Sequence, residues 1–536
     1  MGRSILTLLL ASSVGIGGTG SQGEEPVAPS PAESVPEQPA SPSMDGVATH
    51  TPTLFDDMGN YRREITTDSE NAQRWFDQGL EFLYGFNHDE AVRSFEQALK
   101  HDPDCAMAWW GIAYARGPHI NNPVMTEERT EAALQATREA KQRLEHVSRV
   151  ERALIRALDA RYERPAPEDR THLDRAFAEE MARVWRQFPD DADVGALYAE
   201  SMMNLQPWDL WTNEYEPKGR AEEIVSVLER VLEIDENHPG ANHFYIHAYD
   251  STELAHQAEQ IARKYDQIAP DSVHALHMPS HIFVRLGHWQ ETVEWNERSA
   301  QAAMRILDVD PHASAHYVHA LDYMMYGYLQ LEDYDNARKT LDRVRKIEEI
   351  WPAHFAGYNT AAAHVRYYLE QGLWEQAAAL DANTPATVPW DKFPTGRALF
   401  HYARGIGAAR SGDPDLAETE REQISESVKQ LREDGDRYWA FMTEALGQAV
   451  EAWSLYQRGE IQAALALIDE AASLEESMDK HPTTPGEVLP VRELHGDMLL
   501  EEGRIDEARE AFERSLERTP NRRNALKGIE RAIAAQ

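Results

Sequence analysis

The chain has one cysteine, Cys105, in 536 residues. A single thiol excludes an internal disulfide framework, a thiolate-rich metal site and the CxxCH attachment of covalently bound c-type haem. Basic residues are scarce as well: 53 Lys and Arg stand against 92 Asp and Glu, for a formal charge of −39. A field of that sign repels nucleic acid and anionic lipid and favours cations and basic partners. Beyond the N-terminus no apolar run reaches the ~18 residues of a membrane-spanning helix. No phosphate-binding glycine loop, nucleotide motif, HExxH pattern or nucleophilic triad is present, so no nucleotide cofactor is expected. Ser280 has histidines for near neighbours, but adjacency in sequence does not make a nucleophile.

What the chain does contain begins with residues 1–20, which read as a signal peptide. Arg3 supplies its positive end, Ile5 to Leu10 its apolar core, and Gly18-Thr19-Gly20 small residues before a cleavage point. No cysteine follows to carry a lipid. Residues 21–52 are rich in Pro, Ser, Ala and Glu and read as a disordered linker. Helix pairs follow, divided into residues 53–206, a histidine-rich centre at 207–345, and 346–536. An extracytoplasmic (periplasmic or secreted) location is the expectation.

A 34-residue grid runs through the helical region. Trp75, Gly79, Phe82, Ala91, Phe95, Ala98 and Pro103 occupy positions 4, 8, 11, 20, 24, 27 and 32 of one unit. Gly496, Leu499, Ala508, Phe512 and Pro520 take positions 8, 11, 20, 24 and 32 of another. Small residues at 8 and 20 let antiparallel helices approach, aromatics fill the gap, and proline ends the second helix. Pro239 and Pro270 close internal units, and an Arg- and Lys-rich helix from about Arg522 caps the stack. This pattern resembles the tetratricopeptide repeat (TPR) family. The resemblance implies an all-α superhelical solenoid of about nine helix pairs with a C-terminal capping helix, whose concave groove holds a peptide or protein partner.

Histidine is what a generic repeat scaffold does not account for. Ten of the 22 histidines fall between His243 and His319, where even spacing would place about three. The repeat register puts His243, His247 and Asp250 at positions 2, 6 and 9 of one first helix, and His274, His277 and His281 at 2, 5 and 9 of the next. His319 and Asp322 follow at 2 and 5, and Glu200 precedes them at 9. The TPR resemblance implies that positions 2, 5 and 9 face the groove. His243-x-x-x-His247 and His277-x-x-x-His281 each set two imidazoles one turn apart on a helix face, a metal-ligand spacing. These four histidines form the candidate site, with Asp250, Glu200, His274 or His319 as further ligands or as partners of the ligands. Such a set suits zinc, copper, nickel or iron. Pro279, inside the second pair, threatens to kink the helix and splay His277 from His281.

Asn87-His88 and His119-Ile120-Asn121-Asn122-Pro123 resemble segments of an exported bacterial subset of TPR proteins that also carry paired histidines in internal first helices. His88 and His119 approach the groove if the superhelix closes on itself; otherwise such loop residues cap helices. Trp208 and Trp211 read as the lid of a satellite hydrophobic cluster. Three functions stay open on the sequence: a groove protein that binds a partner and carries a metal patch, a metal-dependent enzyme of hydrolytic or oxidative type, and a protein-binding scaffold without metal.

Overall fold

The computed structural model describes residues 53–55, 59, 61–212, 214–251, 253–268, 272–307 and 312–536. The signal-peptide and linker segments and Pro270 lie outside the described residues. Within them the chain is all-α, and the isolated bridges His119–Asn122 and Trp211–Pro217 are the only β pairing. No helix among them is long and apolar enough to cross a membrane.

The small-residue positions do what the grid requires. Phe95, on the second helix His88–His101, is clasped by Gly79 of Glu70–Tyr84 and Gly111 of Ala106–Ala115. A Cβ on either glycine would meet the Phe95 ring at 2.6 and 2.7 Å. At the far end Phe512 sits in the same way between Gly496 and Gly528, where a Cβ would come within 2.7 and 2.5 Å of the ring. Side-chain caps start many of these helices: Ser69 accepts from the Ala72 amide, Ser148 and Glu151 form a reciprocal capping box, and Ser272 accepts from Ala275. Helices pair consecutively to Ile505–Arg518, and Arg523–Ala535 follows as the last helix. Counting the short partners Glu259–Lys264 and Trp374–Ala378, eleven pairs are present among the described residues. Pro239 opens the Pro239–Ala248 helix at its first position rather than closing the unit before it, which ends at Ile234. Cys105 is fully buried at the entrance of Ala106–Ala115.

Two large hydrophobic cores divide the array, with a small cluster of Val284, Trp289, Tyr323 and Tyr326 between them. The first runs from Ala72 to Ala313, the second from Ala300 to Ala525, and they meet around the helices Trp289–Ile306 and Ala313–Gln330. The C-terminal end returns to this seam. Trp289 Nε1 donates to the Asn521 carbonyl at 3.1 Å, and Arg285 pairs with Asp479 at 2.8 Å. Arg366 donates to the Glu487 carbonyl at 2.6 Å. Gly287 adopts φ +67°, and a Cβ there would lie 2.2 Å from the Pro520 carbonyl, so only glycine permits the approach. Arg522 completes the closure: fully buried, it reaches Glu370 at 2.5 Å and Glu493 at 2.6 Å, and donates to the Tyr326 hydroxyl.

Removing one member of a buried ionic cluster leaves its partners uncompensated, at a cost of about 3–5 kcal/mol. Arg522→Met is therefore expected to lower stability by about that amount in urea unfolding, with faster amide exchange in the last helices. An unchanged unfolding midpoint would show that the C-terminal return does not depend on this residue.

Candidate metal centre

The first helices at the seam carry the histidines inward. His243 and His247 stand on Pro239–Ala248, and His274 and His277 on Val273–His277. His281 follows on Pro279–Leu286 and His319 on Ala313–Gln330. The expected break at Pro279 is present, but Met278 between the two short helices keeps helical angles (φ −50°, ψ −43°). The histidines flanking the proline are not splayed: His277 Nε2 and His281 Nε2 are 2.9 Å apart.

Six imidazoles form two sets of three, His243, His247 and His274 in one, and His277, His281 and His319 in the other. Within each set one ligand nitrogen from every ring lies within 4.8 Å of the others. The sets adjoin, with ring centroids 6.2 Å apart for His247 and His281 and 6.4 Å for His274 and His277. Four of the rings, His247, His274, His281 and His319, face a cavity of about 330 Å³. Its other walls include Phe86, His88, His119, Trp208, Trp351 and Phe355. The positions expected to line the concave groove are largely enclosed: His243 is 0% exposed and His319, the most accessible of the second set, 9%, while His274 is half-buried.

Proton positions in the second set follow from its outer hydrogen bonds. Asn296 Nδ2 donates to the Thr292 carbonyl at 2.7 Å, so Asn296 Oδ1 is the acceptor 2.7 Å from His277 Nδ1. The His277 proton is therefore on Nδ1. His281 Nδ1 lies 2.9 Å from Asp250 Oδ2. That carboxylate is held ionised by Arg285 at 2.9 Å and Lys480 at 3.7 Å, so His281 donates from Nδ1. The two Nε2 atoms then face each other as bare lone pairs. Asn359 Nδ2 lies 2.8 Å from His319 Nδ1, and Asn359 Oδ1 is buried without a partner. In that orientation the amide donates to His319 Nδ1; the amide turned by 180° would instead accept from Nδ1 and leave His319 Nε2 free, as the other two rings of the set have it.

A proton shared between His277 and His281 would relieve the repulsion, but burial holds both imidazoles below their ordinary range, His277 far below with His319 and His281 adding to the effect. In His281 burial outweighs the opposing pull of Asp250. Metal bonds of about 2.0–2.1 Å at tetrahedral or right angles set ligand nitrogens about 2.9–3.4 Å apart. The donor set and the 2.9 Å spacing and tautomers of His277 and His281 fit a transition-metal ion, with the His319 ligand atom within 4.8 Å of both.

The remaining sequence candidates divide. Asp250 does not face the bare nitrogens; it orients His281 from behind. Asp322 pairs with Arg366 at 2.8 Å with both fully buried. The structure does not bring Glu200 to the histidines: its carboxylate takes hydrogen bonds from Tyr114 and, at 2.7 Å, from Asn204, close to Arg161. Trp208 packs against the first core, donates to the Ile120 carbonyl at 3.2 Å, and sets its edge against His247 at 4.6 Å. His88 and His119 lie together in the cavity wall with centroids 4.2 Å apart. Asn296, Asn359 and Lys480 had no signal in the sequence, because they come from a second helix, from the next first helix and from a loop about 200 residues away.

Comparison with known proteins agrees with the repeat grid at its two ends. A tetratricopeptide repeat family model matches residues 76–116 and 450–523, so these segments carry such repeats. No curated protein matches the chain in sequence. Among solved structures, the chain is similar to that of the APC/C hetero-tetramer Cut9-Hcn1, with 12% identity, 87% of this chain and 78% of that one covered, and TM-score 0.31. It is also similar to the TPR domain of P58(IPK), at 12% identity, 87% and 98% coverage and TM-score 0.21. A third likeness is to the human IFIT1 dimer with m7Gppp-AAAA, at 10% identity, 88% and 91% coverage and TM-score 0.36. None of the three superposes closely.

Two outcomes are expected of this site. Asp250→Asn removes the charge that fixes His281, and loss of such an outer partner typically weakens metal binding 10–100-fold; competition against a chelator measures it, and unaltered affinity would contradict the assigned role. Acid also tests the burial. Burial holds His243, His88 and His481 at about 3 and His354 at about 4, against about 6.5 in an unfolded chain. Between those values the unfolded chain binds protons that the folded chain refuses, so stability rises with pH through that window. Each such group contributes about 1.4 kcal/mol per pH unit there. Burial also pushes the carboxyls of Asp77 and Asp322 up to about 6 and that of Asp436 up to about 7; these bind protons on folding in the same window and offset part of the effect. The guanidinium midpoint of metal-free protein is expected to fall on acidification from pH 6.5 to 4.5, and a midpoint that rises would contradict the burial of these imidazoles.

Proposed function

We propose that this chain is a transition-metal protein that uses a helical-repeat scaffold to set an ion at the edge of a small-molecule cavity. His277, His281 and His319 hold the ion through Nε2. The observation that carries this reading is the 2.9 Å approach of two Nε2 atoms whose protons are both committed elsewhere. Three neutral imidazoles with an open position form the ligand pattern of catalytic zinc, and imidazole suits copper and iron as well. Small-molecule sites run to about 300–1,000 Å³, and the volume here, about 330 Å³, is at the lower end of that range. Metal-dependent chemistry on a small molecule, hydrolytic or oxidative, therefore fits the site better than display of an open groove at these helices. Peptide or protein binding, the common work of tetratricopeptide repeats, falls to surfaces elsewhere on the array. Export is part of the same proposal, supported by the N-terminal sequence, and places the chain among extracytoplasmic metalloproteins.

The test is elemental analysis of protein produced in a periplasm, beside a His277→Ala/His281→Ala variant. The native protein is expected to carry zinc, copper or iron in stoichiometric amount and to melt at a higher temperature than chelator-treated protein, since an ion bound only by the folded state stabilises it. The variant should keep its helical circular dichroism and lose that ion. Native protein that binds no metal even when offered zinc and copper contradicts the proposal.

A further inference from the structure

The two three-histidine sets are built by one rule applied twice. His243 and His247 stand one turn apart and take their third member, His274, from the next first helix in the chain; His277 and His281 likewise take His319. The first set also leaves nitrogens bare. A carbonyl can only accept, so His243 donates from Nδ1 to the Tyr84 carbonyl at 2.5 Å, and its Nε2 has no partner. His274 Nε2 has none, and His247 has none at either nitrogen although it is only 6% exposed. Buried polar atoms without partners each cost about 1–3 kcal/mol, and native proteins keep few of them. Four lie in one cluster; one of the two on His247 carries that ring's proton, and the remaining three, converging from two helices, mark a place for a ligand that accepts lone pairs.

We infer that His243, His247 and His274 hold a second transition-metal ion beside the first, so that the cavity floor is a two-metal centre with unequal halves. The inference rests on the proposed metal site at His277, His281 and His319. The inequality follows from the outer hydrogen bonds. The second set is oriented by Asn296, Asp250 and Asn359, whereas in the first set only His243 has such a partner, the Tyr84 carbonyl. His247 is placed instead by packing, stacked on Phe86 at 5.6 Å and against the edge of Trp208 at 4.6 Å. Outer partners raise metal affinity 10–100-fold, so the ion on His243, His247 and His274 is the weaker and more exchangeable one. Both sets turn two of their three rings to the cavity, so one molecule there meets both ions.

The experiment loads full-length protein with Cu²⁺ and reads stoichiometry together with electron paramagnetic resonance. Wild type is expected to bind two equivalents, with a signal broadened or lost through coupling of neighbouring ions, and a chelator should remove one equivalent well before the other. His247→Gln/His274→Gln should bind one equivalent with a sharp, uncoupled signal. These substitutions keep the volume of the core; biphasic release from wild type stands as an independent reading if the variant is unstable. One equivalent in wild type, lost on His277→Gln/His281→Gln but kept in His247→Gln/His274→Gln, overturns the second site and leaves the first. Two equivalents that release together and show no coupling overturn the unequal pair. No binding by any form overturns both.

Discussion

Everything at the centre of this molecule is arranged around the 2.9 Å between His277 Nε2 and His281 Nε2. Each ring is fixed from behind by a partner that is itself fixed. Asn296 is locked by its bond to Thr292, and Asp250 by Arg285 and Lys480. The lone pairs cannot turn away, and burial disfavours the proton that would join them. Lys480 and Asp479 sit on the segment between Ile461–Glu476 and Val491–Glu501, so the return of the C-terminal repeats to the seam is also what completes the support of His281. Closure of the array and support of the site use the same contacts.

The repeat scaffold suits this task. Antiparallel helices held at short distance by glycine and alanine bring successive first helices side by side, so a residue pair on one helix finds a third residue on the next. The His277 and His281 helices belong to the first hydrophobic core and the Ala313–Gln330 helix largely to the second. An ion held by His277, His281 and His319 would therefore tie the two cores together. The glycine-clasped phenylalanines at residues 95 and 512 hold their own repeats together.

Much of this was legible in the residues. Fixed spacing exposes the repeats where Trp, Gly, Phe and Pro keep register, at the two ends. The HxxxH pairs show themselves, and the register points to His274 and His319 as neighbours of those pairs. Register alone fails where a competing partner intervenes. Glu200 shares position 9 with His281 but is drawn to Tyr114 and Asn204, and Asp322 is drawn to Arg366. Asp250 is adjacent, as its position implies, yet three cations and hydrogen-bond donors turn it into a support for His281. The groups that decide protonation, Asn296, Asn359 and Lys480, leave no pattern in the sequence, because folding and not spacing brings them to the histidines. The grid likewise does not reveal that the imidazoles are enclosed: the cover comes from the turn after Tyr84, the loop around Trp208 and the loop before Val491.

Anomalous X-ray diffraction from crystals of protein purified without added metal bears most directly on the opposed nitrogens. Data on either side of the zinc, copper and iron absorption edges are expected to place a peak for one of these elements about 2.0–2.2 Å from Nε2 of His277, His281 and His319. No anomalous peak at any edge, with His277 and His281 still 2.9 Å apart and joined by a proton, would contradict the account.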